Sequence, residues 1–152
     1  MYTKLYGLDT VCLRYFNVYG PRQDPSSPYS GVISIFTDKL KNNQTPTIFG
    51  DGEQTRDFVF VSDVVEANMK AVKTDKGVGQ FYNVATGNKI TLNELLKILS
   101  DIYDIEFDVN YGEERKGDIK ESYAVIDKAE SLLDWHPRVE LNHGLKMLCE
   151  SL

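Results

Sequence analysis

Cysteine and histidine are scarce in this 152-residue sequence, with two of each. Cys12 and Cys149 are far apart and form no Cys-x-x-Cys spacing. That excludes a disulfide framework and a thiolate metal site, and reads as two reduced thiols of a cytoplasmic protein. His136 and His143 lie near the C-terminus, with no cysteine or carboxylate cluster at ligand spacing, so a metal centre has no ligand set. No apolar run approaches the ~20 residues of a membrane-spanning helix. Met1-Tyr2-Thr3-Lys4 opens no secretory apolar region. Positive charge is short as well: 17 Lys and Arg against 23 Asp and Glu leave a net charge of -6. This balance argues against nucleic acid or an anionic membrane as the main partner. An anionic ligand would need local, well-placed arginines. No glycine grouping matches Gly-x-Gly-x-x-Gly or a Walker loop, so a phosphate cradle of backbone N–H groups is not supported. Repeats, linkers and low-complexity tracts are missing too.

What is present suffices for one domain with a core, since 41% of the residues are hydrophobic. Residues 1–7 read as a helix end, with Gly7 as the terminator. Leu8 to Phe16 reads as a buried strand that stops at Gly20-Pro21, with Asn17 where strand gives way to loop. Arg22 to Ser30 is a polar, proline-containing surface loop. Val32 to Leu40 has a broad apolar helical face ending at Asn42-Asn43. Thr47-Ile48-Phe49 is a short strand, Gly50-Asp51-Gly52 a turn, and Phe58 to Val61 a fully apolar strand. Ser62-Asp63 is expected to cap the following helix, with Glu66 as the capping partner. Phe81 to Val84 is a further strand. Thr91-Leu92-Asn93-Glu94 is a capping box opening a helix whose inner face is Leu92, Leu95, Leu96 and Leu99. Glu106 to Asn110 alternates like a strand, and helices are expected over 127–133 and 141–152. This alternation gives an α/β class with a small parallel sheet, one edge of which is left uncovered and open to strand addition.

Three polar points stand beside turns. Asn17 is either a turn former or a ligand contact beyond the carboxyl end of a strand, where open parallel sheets bind ligands. Arg56 either pairs locally with Asp57 behind an Asp51-Gly52 hairpin turn or reaches a ligand. Arg115, in Glu113-Glu114-Arg115-Lys116-Gly117-Asp118, is either a solvated loop charge or an anion contact. Taken together they suit a nucleoside diphosphate: guanidinium forks match phosphate oxygens, and Phe49 offers a ring face to a base.

The run Leu13-Arg14-Tyr15-Phe16-Asn17-Val18-Tyr19-Gly20-Pro21 resembles the strand-loop of extended short-chain dehydrogenase/reductases, most closely the NAD-dependent nucleotide-sugar 4-epimerases. Thr47 to Val65, Phe81-Tyr82-Asn83-Val84-Ala85 with Gly87, Glu114 to Asp118 and Trp135-His136-Pro137 are similar to further motifs of that family, in the family's order. Lys116 stands where the family has proline, which would loosen that loop. The resemblance implies the C-terminal part of a Rossmann-like fold, with residues 1–30 a remnant of the dinucleotide-binding domain and 31–152 mainly the UDP-sugar-binding region. It implies that Asn17, Arg56 and Arg115 contact the diphosphate, and that Gly31 and Val32 line the nucleotide side of the pocket. Thr47, Ile48 and Phe49 would hold the uracil, and Asp118 would reach the ribose or orient an arginine. Phe16 would lie against the nicotinamide of NAD. The family's Tyr-x-x-x-Lys pair finds no match: Tyr2 is followed by Tyr6. The expectation is therefore a nucleotide-sugar-binding portion of a UDP-glucose/galactose (or N-acetyl) 4-epimerase, without catalysis or NAD binding by this chain alone. A same-fold dehydratase or decarboxylase portion, or a non-catalytic binding module, are the alternatives. A homodimer or a complementing N-terminal half are the partners implied.

Overall fold

The computed structural model describes residues 1–24, 26, 27 and 31–152. The short helix α1 (Tyr2–Tyr6) ends at Gly7, whose φ of 66° is the left-handed value that favours glycine. The expected single strand over Leu8–Phe16 divides in two: β1 (Cys12–Tyr15) and β2 (Asn17–Tyr19). The break falls where consecutive amides bond to different neighbours. Phe16 N donates to the Val84 carbonyl at 3.0 Å, and Asn17 N donates to the Asp57 carbonyl at 3.1 Å. β1 is also more open than a buried strand. Cys12, Arg14 and Tyr15 are exposed, and among the described residues β1 has a ladder on one side only. Asn17 opens a strand rather than closing one. Of the polar loop that follows, Pro25, Pro28, Tyr29 and Ser30 lie outside the described residues.

Helix α2 (Val32–Lys41) starts after Gly31 and buries Ile33, Phe36 and Leu40. Strand β3 (Thr47–Phe49) is followed by the glycine turn, then β4 (Thr55–Arg56) and β5 (Phe58–Phe60). Helix α3 (Val61–Lys73) begins directly at Val61, which shortens the expected apolar strand by one residue. Next come β6 (Phe81–Val84), β7 (Ile90–Thr91) and α4 (Leu92–Tyr103), where both capping-box bonds between Thr91 and Glu94 are made. The strand expected at Glu106–Asn110 lies further on, as β8 (Asn110–Gly112). Ile105, Phe107 and Val109 pack on the core without a ladder partner, and pairing starts only where β3 runs alongside. β9 (Glu121–Ser122), α5 (Asp127–Leu133) and α6 (Leu141–Glu150) complete the order.

The ladders are mostly parallel. β1 pairs with β6, β2 with β5 and β3 with β8, while β4 lies between antiparallel β7 and parallel β9. Strands from residues 1–30 thus share ladders with strands from the later segment. One core gathers Tyr19, Phe36, Ile48, Leu95 and Leu145, and a second gathers Val59, Tyr82, Val84 and Trp135.

Asp63 does not cap α3; no side chain caps it. Asp63 is buried in the first turn, and its Oδ2 accepts the Arg138 and Val139 amides at 3.1 Å each. Its carbonyl accepts Trp135 Nε1 at 2.9 Å. Glu66, the expected capping partner, pairs instead with Arg138 at 3.0 Å. A buried carboxylate needs donors, and the 135–139 turn brings two amides that the first helical turn does not.

Candidate functional site

The site grows from the turn between β3 and β4. Gly50 and Gly52 both have positive φ, 89° and 82°. A Cβ at Gly52 would run into the Asn93 side chain, so the turn needs glycine for close approach as well as for conformation. Asn93, in the first turn of α4, moors it: Nδ2 donates to the Asp51 carbonyl at 3.0 Å and to Glu53 Oε1 at 2.6 Å. Tyr111 Oη donates in turn to Asn93 Oδ1 at 3.1 Å. Gln54 Nε2 reaches back to the Phe49 carbonyl at 2.8 Å. The result is an open cleft of about 350 Å³, walled by Phe49, Gly50, Gln54, Glu114, Asp118 and Lys120 among others.

Arg56 is held beside this cleft by three bonds. Nη1 donates to the Thr55 carbonyl at 2.9 Å and the Ile119 carbonyl at 2.6 Å, and Nη2 to Asp118 Oδ1 at 2.7 Å. Asp118 Oδ1 also accepts the Ile119 amide at 2.9 Å. The local pairing of Arg56 with Asp57 is not made. Asp57 is fully buried and accepts Thr86 N at 2.8 Å, Thr86 Oγ1 at 2.7 Å and Gly87 N at 2.9 Å. Arg115 lies with its guanidinium carbon 3.9 Å from the centroid of the Phe49 ring, a cation–π stack on a residue that walls the cleft.

The fold therefore gathers Phe49, Arg56, Arg115 and Asp118 at one place. Asn17 stands one residue from that group through the chain: its Nδ2 donates to the Asp57 carbonyl at 2.9 Å, on the β2–β5 ladder. Phe16 is half-buried, with its amide committed to β6. Gly31 is exposed at the start of α2, and Val32 packs against the first core. Thr47 is exposed on β3 opposite Asn110. Ile48 is 1% exposed with its side chain in the first core, so its side chain does not line the cleft. The two-residue period of β3 decides this, turning Thr47 and Phe49 outward and Ile48 inward.

The sequence reading passed over Gln54, Asn93 and Tyr111. Asn93 was visible only as a member of the capping box, and nothing local ties it to a turn forty residues earlier. Among other titratable groups, burial with the nearby Asp63 charge pushes the Tyr19 hydroxyl well above the usual phenol range. Burial raises the Cys149 thiol. Both cysteines are free, Cys12 exposed and Cys149 half-buried. Among the described residues no helix is long and apolar enough to cross a membrane.

Parallel ladders connected through helices define an α/β protein with a Rossmann-like sheet. The family model for the NAD dependent epimerase/dehydratase family matches residues 1–85, and the chain belongs to that family. It is 44% identical, over 96% of its own length, to a putative UDP-glucose 4-epimerase of Methanocaldococcus jannaschii, of which it covers 46%. The UDP-glucose 4-epimerase of Mycolicibacterium smegmatis is 39% identical over 99% of this chain and 47% of that protein. A crystal structure of UDP-glucose 4-epimerase with UDP-glucose from Thermotoga maritima superposes with a TM-score of 0.94 at 42% identity, covering 99% of this chain and 48% of that one. UDP-glucuronic acid decarboxylase 2 of Arabidopsis thaliana is 34% identical over 89% of this chain and 29% of that protein. The chain thus spans about half the length of the epimerases it matches.

Proposed function

We propose that this chain is the nucleotide-sugar-binding portion of an NAD-dependent UDP-hexose 4-epimerase. The observation that carries the reading is the meeting of Arg56, paired to Asp118, with the Arg115–Phe49 stack at one cleft. Phe49 presents a ring face to a uracil. Arg56 and Arg115 bring two guanidiniums, whose forks suit a diphosphate. Asp118 orients Arg56, which is the second of the two roles the resemblance allowed it. Asn17, Gly31, Val32 and Thr47 complete the substrate contacts. Residues 31–152 supply most of these groups, and residues 1–30 belong with the dinucleotide-binding side.

NAD is the cofactor named by the family, and in an epimerase it accepts and returns a hydride at the sugar carbon. The residues described here do not fit a dinucleotide cradle. β5 runs straight into α3, and the run from β2 to α2 carries Gly20 and Gly31 without a Gly-x-Gly-x-x-Gly spacing. Phe16 is left as the one nicotinamide-side contact, and this chain's own part in the reaction is to anchor the nucleotide.

Calorimetric titration tests the reading. UDP-glucose is expected to bind weakly, NAD to give no signal, and the purified chain to epimerise nothing. UDP affinity unchanged by Arg56→Ala, or NAD binding by the chain alone, would refute it. Tighter binding of UDP-glucuronate than of UDP-glucose would move the substrate to a nucleotide uronic acid, as named for the UDP-glucuronate 4-epimerase and UDP-glucuronic acid decarboxylase relatives.

A further inference from the structure

Arg56 and Arg115 belong to one cleft but are held in different ways. Arg56 donates to the Thr55 and Ile119 carbonyls and to Asp118. The exposed Arg115 stacks on the Phe49 ring and, among the described residues, makes no hydrogen bond or ion pair. Carboxylates are plentiful nearby, since Asp51, Glu53, Glu114, Asp118 and Glu121 all line the cleft. Yet Glu114 pairs with Lys120 at 3.6 Å, and Asp118 is taken by Arg56. The N–H donors of Arg115 are uncommitted, and a ring face alone holds its guanidinium.

The backbone under Arg115 is anchored on both sides. Before it, the Gly112 carbonyl accepts the Gly50 amide at 2.9 Å. After it, the Asp118 amide donates to the Arg115 carbonyl at 3.0 Å, closing a turn in which Gly117 has a φ of 87°. The side chain of Arg115 can therefore swing while the turn stays in place.

The Phe49 ring has little room to share. Gly112 lies opposite it on β8, and a Cβ there would come within 3.2 Å of Phe49 Cδ1 and 3.4 Å of Cε1. The face that Arg115 covers cannot receive a second planar group. A base and the guanidinium compete for it.

We infer that Arg115 is a specificity residue that admits nucleoside diphosphates and turns nucleosides away. The base lifts the guanidinium off Phe49, and the freed fork turns to the diphosphate. A nucleoside breaks the cation–π contact and returns nothing for it. That contact is worth about twofold to fivefold in affinity at an exposed site. A diphosphate replaces it with charged hydrogen bonds, worth roughly tenfold or more. The larger effect decides the exchange, so phosphate drives it. The inference rests on the nucleotide-sugar reading of this cleft.

The test uses the full chain with uridine and UDP. NMR should find the Arg115 δ-methylene protons upfield of their place in Phe49→Leu, shifted by the ring current. Uridine, which carries no phosphate, should return them to that place as it takes the ring. Arg115→Ala should bind uridine about twofold to fivefold more tightly than the parent chain. The same variant should bind UDP roughly threefold or more weakly, because the lost phosphate contact outweighs the freed ring. Arg115→Gln, which keeps a long side chain, should show the same two opposite signs. A merely structural arginine would move both affinities in one direction.

Uridine affinity that is unchanged or lower in both variants overturns the inference. Arg115 protons driven further upfield by uridine overturn it too, because the base then stacks on the guanidinium instead of replacing it. So do protons that lie at the Phe49→Leu position in the chain alone, where no stack exists to be broken. UDP binding indifferent to Arg56→Ala fails the nucleotide-sugar reading. UDP binding that needs Arg56, with no gain of uridine affinity in the Arg115 variants, fails this inference and leaves that reading standing.

Discussion

Arg56 Nη2 and Asp118 Oδ1 lie 2.7 Å apart across 62 residues of sequence, with only 16% and 30% of the two side chains exposed. The pair joins β4 to the loop that carries Arg115. Because Arg56 also donates to two carbonyls, its guanidinium plane is fixed before any ligand arrives. Preorganisation of this kind lowers the ordering cost of binding.

Arg56→Ala should weaken UDP binding by roughly 1.5–3 kcal/mol, the usual worth of a charged hydrogen bond. Arg56→Lys should recover only part of it, since a point charge replaces a planar fork. Titration calorimetry on both variants checks this. An unchanged affinity in Arg56→Ala removes the residue from the site.

Phe49→Ala should cost UDP affinity by roughly 1–3 kcal/mol, the range for a base stacked on an aromatic ring. The ring is 38% exposed, so the fold should tolerate the change. Pyrophosphate binding should be far less affected than UDP binding. Equal losses for both ligands would mean that Phe49 acts through Arg115 rather than on a base.

Asp57→Ala should destabilise the fold by roughly 3 kcal/mol or more. Two backbone amides and a hydroxyl lose a buried acceptor that takes all three within 2.9 Å. Urea denaturation measures the loss. A midpoint within error of the parent chain would mean that the Thr86–Gly87 turn finds water instead.

Gly144→Ala should cost roughly 1–3 kcal/mol by overpacking. A Cβ there would run into the Tyr19 hydroxyl and come within 2.9 Å of Phe60 Cδ2. Tyr19 Oη is tied to the Leu141 carbonyl and cannot swing aside without losing that bond. A lowered melting temperature is expected, and a neutral result would mean that α6 slides outward.

The exposed Asp134–Lys70 pair gives a small, solvent-screened pH dependence. The Lys70 hydrogen bond and charge hold its carboxyl below the ordinary value. Its contribution is present above the unfolded carboxyl pKa, about 4, and is lost as pH falls through the lower folded value. In Lys70→Ala the Asp134 titration, followed by NMR, should move up in pH. No movement would show that the 2.7 Å pair does not persist in solution.

Much of this was legible along the chain. The helix at 127–133 and the capping box at Thr91–Glu94 announce themselves by periodicity and by the chemistry of one turn. Arg56, Arg115 and Phe49 stood out through residue type beside glycine turns, and Asp118 through the family resemblance alone. Less legible were elements whose fate depends on distant partners. The strand near Glu106 shifted because only β3 offered it a ladder, and Asp63 left its helix cap for two amides 75 and 76 residues away.

Local chemistry of the backbone and of short side-chain patterns therefore settles where helices start and which faces are apolar, since those energies act within a few residues. Ion-pair partners, the inward turn of Ile48 and the mooring of the glycine turn by Asn93 are settled only by tertiary structure. A buried charge or an open strand edge is satisfied by whatever group is nearest in space. Folding, not sequence order, decides which group that is.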